Sequence, residues 1–320
     1  MKKAFKIISI ILVVCIVAGG VTFGVLKKDE INYFYSAMHN ASVALSDGSW
    51  KNAGKTETVE NAEVDNAFTA GKYGGVDFKT VDDVVKYYVD AYNKTKSKTA
   101  SYTDDQGNKQ TYYALLGTEE LKINSVLVEG KENSIINKLV PSVVDSLFKP
   151  NVYGLPPCAN RDPSQDIDEN GESLQTSRIT ADDILTCSVK DNSDGTITIT
   201  LVPKETQMSH KGLDAQGKVF NTLGGIDKTV DSISALSWAS GTTAENCSVL
   251  YSKSTAVAKI DVASGEIVEA DYNLNIDINV QHANVAILQD KNASLNISYK
   301  QHFPADAEYM MKTKGIKSAQ

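Results

Sequence analysis

Arginine is nearly missing from this 320-residue chain, with Arg161 and Arg178 the only two. Bidentate clamps for phosphate are therefore scarce. The formal net charge of -8 repels a phosphate backbone at long range, so both features argue against nucleic-acid binding. Histidine is scarce as well. His39, His210, His282 and His302 are the full set, and no two stand at the spacing of a helical or finger-type metal motif. His282 and His302 fall near expected strand ends, from which they could approach each other across a sheet. Of four cysteines, Cys15 lies in an apolar run. Cys158, Cys187 and Cys247 form an odd set, which allows either one disulfide with a spare thiol or three buried free thiols. There is no G-x-S-x-G nucleophile turn and no glycine-rich phosphate loop; the pairs Gly19-Gly20, Gly74-Gly75 and Gly224-Gly225 are isolated. No residue is assigned a catalytic, cofactor-binding or metal-ligating role, and no cofactor is expected.

What the chain does have is an uncharged run of twenty residues, Ile7 to Leu26, between Lys2, Lys3 and Lys6 on one side and Lys27-Lys28 on the other. Twenty helical residues at about 1.5 Å each span the roughly 30 Å of a bilayer's hydrocarbon core, and flanking lysines can snorkel to the headgroups. The run is read as an uncleaved signal anchor, a single pass through the cell membrane with the body extracytoplasmic. Two alternatives stay open. One is secretion after cleavage beyond Ala18-Gly19-Gly20, and the other is lipidation at Cys15. Residues 1–28 carry +5; subtracting that from the net -8 leaves -13 on the rest. So acidic a body stands off an anionic membrane surface.

The boundaries that follow are an anchor at 1–28, a helix and connector at 29–78, an extracytoplasmic domain at 79–311 and a polar tail at 312–320. Ile31–Leu45 has apolar residues at helical spacing, and 46–78 is polar and rich in small residues. Thr80 opens the clearest helix. Thr80 and Asp83 suit a capping box, and Val81, Val84, Val85, Tyr88, Val89 and Tyr92 fall on one stripe. Thr99–Thr103 and Gln110–Leu115 flank a turn-forming cluster. Glu120–Glu129 alternates as a strand, and Ile135–Phe148 reads as a second helix broken near Pro141. Residues 149–178 hold four of the seven prolines and form a long irregular stretch of the kind that carries function. Beyond it, Ile184–Val189 and Thr196–Val202 make a hairpin, 226–238 suits a third helix, and Ser248–Val262, Glu266–Val280, Ala283–Leu288 and Ser294–Phe303 read as strands. In the longest, Asn273, Asn275, Asp277 and Asn279 alternate with Leu274, Ile276, Ile278 and Val280, as in a sheet with one wet and one buried face.

Asp166-Ile167-Asp168-Glu169-Asn170-Gly171 matches the first half of a calcium loop. The second half fails, with Leu174 at the ninth position and Ser177 at the twelfth, so the segment is read as an acidic surface loop.

The fold class expected from all this is α+β: an N-terminal transmembrane helix, then a curved antiparallel sheet packed against amphipathic helices. The anchor, the helix TVDDVVKYYVDAYNKTK and the run STAVAKIDVASGEIVEADYNLNIDINV together resemble uncharacterised membrane-anchored extracytoplasmic proteins of Gram-positive bacteria. The run at 254–280 is similar to the lipoprotein-carrier (LolA-like) half-barrel proteins. That resemblance implies a sheet folded over helices with acyl chains held inside, and it carries no site residues. The expected function is a non-enzymatic, membrane-anchored binding protein for a lipid or other apolar ligand of the cell envelope. Its rivals are an interaction ectodomain with a filled core, working through the 149–178 loop, and an envelope enzyme with a site assembled only in space. Expected partners are the membrane, through the N-terminal helix, and an apolar ligand or envelope protein.

Overall fold

The computed structural model describes residues 68–103, 107, 109–133, 140, 154–231, 233, 236–285 and 288–305. The anchor Ile7–Leu26, the expected helix Ile31–Leu45, the body of the expected helix Ile135–Phe148 and the polar tail lie outside the described residues. Among those described, no helix is long and apolar enough to cross a membrane.

The architecture is built on one strand. β13, Glu266–Val285, runs for 20 residues, and β14, Leu288–Phe303, pairs with it antiparallel along one edge. Three strands share its other edge in turn. β12 (Thr255–Asp261) pairs with residues 266–273, β11 (Cys247–Tyr251) with 276–280, and β10 (Leu236–Trp238) with 283–285. Where β11 gives way to β12, Asn275 keeps the ladder closed. Its carbonyl accepts from the Ser252 amide at 3.4 Å, and its own amide donates to Ser254 Oγ at 3.1 Å. Outward from β14 lie β5 (Thr118–Val128) and the short β6 (Lys131–Glu132); outward from β12 lie β8 (Thr196–Pro203) and β7 (Ile184–Asp191). With β9 (Thr206–Gln207) beside β11, this is a ten-stranded sheet. Two hairpins stand apart from it, β1–β2 (Gly71–Tyr73, Val76–Phe78) and β3–β4 (Thr99–Thr103, Lys109–Tyr113).

One face of the sheet is apolar and buried. Ile197, Ile199, Leu201, Ala256, Ala258, Ile260, Ala270, Tyr272, Leu274, Ile276, Ile297 and Phe303 are all essentially inaccessible. α1, Val81–Lys96, lies on that face with Val84, Val85, Tyr88 and Tyr92 turned inward. Tyr88 and Tyr272 meet hydroxyl to hydroxyl at 2.9 Å, and Tyr272 stands edge-on to Phe220 and Phe303 with ring centroids about 6 Å apart. The capping box forms as expected: Asp83 Oδ2 accepts from the Thr80 amide at 2.9 Å, and Thr80 Oγ1 accepts from the Asp83 amide at 3.3 Å.

Several expectations need correction. The described body is mostly β-sheet rather than α+β: among the described residues α1 is the one long helix, and Asp227–Asp231 and Thr243–Asn246 are single turns. The expected helix 226–238 stops at Asp231, and Leu236–Trp238 is strand. The apolar residues Ile226 and Val230 do repeat at helical spacing, but the far end of β13 offers Leu236–Trp238 a free edge, and pairing there satisfies its backbone. Ser248–Val262 is two strands rather than one. At the connector's end, Gly71–Phe78 forms a hairpin whose Phe78 is buried in the main core.

Candidate functional site

The unusual chemistry gathers where the last turn of α1 meets the proline-rich segment from Gly154 onward. Tyr88, Tyr92 and Lys96 succeed one another at four-residue spacing on the buried stripe of α1, so Lys96 is carried into the interior. Its side chain is 0% exposed, as is that of Asp166, whose Oδ2 lies 3.3 Å from Lys96 Nζ. Lys96 Nζ also donates to the carbonyls of Pro157 (2.7 Å) and Leu174 (2.6 Å) and to Tyr92 Oη (3.0 Å). It sits 5.4 Å and 5.2 Å from the ring centroids of Tyr92 and Tyr113, within range of a cation–π attraction. Asp166 is saturated in turn. Tyr113 Oη donates to Oδ2 at 2.7 Å, and the amides of Ala159 and Asn160 donate to Oδ1 at 2.6 and 3.1 Å. Gly154 lets the segment close down here, since a Cβ at that position would stand 2.7 Å from the Tyr113 ring.

Cys158 adjoins this pair. Its amide donates to Asn221 Oδ1 at 2.7 Å, and Asn221 Nδ2 reaches Gln301 Oε1, on the buried face of β14, at 3.3 Å. Lys211 Nζ donates to the Cys158 carbonyl at 3.2 Å. Burial pushes the Cys158 thiol up to about 12, against the opposing pull of the Lys96 ammonium, so at neutral pH the group is a thiol and a poor nucleophile. Burial also lowers the Lys96 and Lys211 ammonium groups, with the Asp166 carboxylate acting in the opposite direction. Burial, together with the nearby Asp166 carboxylate, raises the Tyr113 hydroxyl. The arrangement binds protein to protein: each strong donor and acceptor of the Lys96–Asp166 pair is already used.

The half-motif for calcium is used the same way. Both carboxylates turn inward, correcting the reading of an acidic surface loop. Asp168 Oδ1 accepts from the amides of Asn170 and Glu172, each at 2.9 Å. Its Oδ2 accepts from Arg178 Nη2 at 2.5 Å, and Arg178 Nη1 pairs with Glu172. Burial raises the Asp168 carboxyl, but Arg178 and those two amides more than offset it, leaving it below the usual carboxylate range.

The histidines do not come together. His302 Nδ1 lies 2.9 Å from Asp271, directly opposite it on β13, whereas His282 pairs with Asp290 at 2.8 Å near the other end of β13. Eleven residues of strand separate the two positions, about 35 Å at 3.3 Å per residue. His210 pairs with Glu169 at 2.8 Å, and His39 lies outside the described residues. Cys158, Cys187 and Cys247 are all buried, and Cys187 and Cys247 are free thiols, so the disulfide left open by their number does not form among these three.

Beside the Lys96–Asp166 pair, the β3–β4 hairpin and the proline-rich segment bound an open polar groove of about 720 Å³, lined by Thr99, Lys109, Thr111, Asp162, Pro163, Ser164 and Gln175. The segment's side is fixed locally. Asp162 Oδ1 accepts from the Ser164 amide (2.9 Å) and hydroxyl (2.8 Å), and Gln175 Nε2 donates to the Pro163 carbonyl at 2.8 Å. The Arg161 guanidinium stacks 3.7 Å over the Tyr112 ring. The sequence pointed to this stretch through its prolines, but not to the buried Lys96–Asp166 pair that holds it. One signal was present: Lys96 continues an apolar stripe where a solvated residue is out of place. Asp166 and Tyr113 gave none, because their meeting depends on long-range folding.

No protein-family model, curated protein or solved structure matches the chain.

Proposed function

We propose that the protein is a non-enzymatic interaction ectodomain of the cell envelope, held at the membrane by Ile7–Leu26, whose working surface is the groove between the β3–β4 hairpin and residues 154–178. One observation carries this reading. A buried, fully hydrogen-bonded ion pair fixes the shape of a long irregular surface segment beside an open polar groove. Burying such a pair is costly in desolvation and adds little stability over apolar packing. Its gain here is a segment held in one conformation, which suits a preorganised binding surface. Hydroxyls, an amide and one charge of each sign line the groove, so its partner is polar. The packed face of the sheet supports the same choice over an acyl-chain carrier: where a half-barrel would hold lipid, Tyr88, Tyr272, Phe220 and Phe303 fill the space.

The segment cannot simply be deleted to test this, because Leu155, Cys158 and Leu174 belong to the interior. The test instead places a photo-crosslinking amino acid at Gln175 or Ser164 of the full chain in its native membrane, with Leu185, exposed on the edge strand β7, as control. Discrete adducts from the groove positions and none from Leu185 are expected. Adducts from Leu185 alone, with the groove positions silent in folded protein, would overturn the assignment.

A further inference from the structure

We propose that Glu269, Asp271 and His302, on the outer face of the sheet, form a binding site for a divalent transition-metal ion of the zinc type. The three residues offer one imidazole nitrogen and two carboxylate oxygens, all within 4.8 Å of one another. Bonds of about 2.1 Å at tetrahedral angles put neighbouring ligand atoms about 3.4 Å apart, so small side-chain rotations bring this set to coordinating distance. The backbone beneath is fixed. Asp271 and His302 are directly opposed in the β13–β14 ladder, and Glu269 is two residues from Asp271, on the same face. Both strands are interior to the ten-stranded sheet, with β12 beyond one and β5 beyond the other, so their register cannot slip without breaking two ladders.

The charges also suit a dication. Two carboxylates and a neutral imidazole carry a formal -2. The cation best placed to neutralise Glu269 is Lys259, opposite it on β12, but Lys259 Nζ is engaged by Asp194 at 3.1 Å. Among the described residues, the Glu269 side chain has no hydrogen-bond or ion-pair partner of its own. A mixed nitrogen and oxygen donor set favours zinc, cobalt or nickel over magnesium, which prefers all-oxygen shells. Coordination through Nδ1 requires that nitrogen to be unprotonated. The ring proton then sits on Nε2. Three protein ligands leave the remaining positions to water.

Calorimetric titration of the full-length protein with zinc chloride tests the site. One ion per chain is expected, with at least a tenfold loss of affinity in both His302→Ala and Asp271→Asn and no loss in His282→Ala, each variant being checked for native circular dichroism. Cobalt should give visible d–d bands that disappear in His302→Ala, and magnesium should not compete. Absence of zinc binding at millimolar concentration overturns the proposal, as does one-to-one binding that survives in folded His302→Ala.

Discussion

Lys96 and Asp166 set the terms at the residue scale. A charge removed from water costs several kcal/mol, and the opposite charge together with three hydrogen bonds on each member returns most of it. Removing only the ammonium leaves a buried carboxylate without its cation. Lys96→Met should therefore lower unfolding stability by about 3–5 kcal/mol, read as a shift in denaturant midpoint at unchanged slope. Lys96→Met combined with Asp166→Asn should recover part of that loss, since no uncompensated charge then remains, and the coupling measures the pair. If the single and double variants lose the same amount, the pair is not what holds the segment. Cys158 is a different case. Its thiol is raised to about 12 and its side chain is buried, so its part is in packing around the Lys96–Asp166 pair.

At the element scale, several hairpins and turns are tied by aspartates whose oxygens accept from nearby amides and hydroxyls. Asp194 shows this most clearly. The Thr196 hydroxyl, the Lys259 ammonium and the Thr196 amide all donate to it, holding its carboxyl down to about 2 from an ordinary 3.8. In Asp183, burial raises the carboxyl, but the Lys218 ammonium and Thr180 pull it below the ordinary range. A carboxyl lower in the folded than in the unfolded chain contributes stability that is complete above the ordinary carboxylate range and is lost as pH falls through the folded value. The melting temperature should hold from neutral pH down to about 4 and then fall steeply towards 2. Asp194→Asn should be less stable near neutrality and show a shallower fall; an unchanged slope would remove Asp194 from the account.

The same scale explains what could be read from sequence. α1 was legible because the Thr80–Asp83 cap and the apolar stripe that follows it agree. The β7–β8 turn and the turn after β12 were legible because Asn, Asp, Ser and Gly mark them. Residues 226–238 misled because their pattern is local and the competing partner, the end of β13, is about fifty residues further along the chain. For the same reason, the inward turn of Asp166 and Asp168 could not be seen: an aspartate in an acidic run looks solvated until the fold supplies Lys96 and Arg178.

At the scale of the whole molecule, β13 is the spine to which nearly every other part is referred, with one wet face and one face sealed by α1 and the segments around Leu155 and Phe220. Whether the sealed face can admit an apolar ligand depends on its packing. Tyr272 lies at the centre, touching Tyr88 through the hydroxyl and Phe220 and Phe303 through the ring edges. Tyr272→Ala would open a void there and leave the Tyr88 hydroxyl without its partner. The expected cost is about 3–5 kcal/mol, the range for large aromatic truncations in cores. An environment-sensitive apolar dye should gain fluorescence on the folded variant relative to the unaltered chain, because a dry cavity now exists where none did. Any dye held by the N-terminal apolar run contributes equally to both proteins and cancels in the difference. Equal dye binding, with competition by free fatty acid in the unaltered chain, would mean that the interior already accepts acyl chains. The half-barrel carrier would then displace the interaction ectodomain as the better account of this fold.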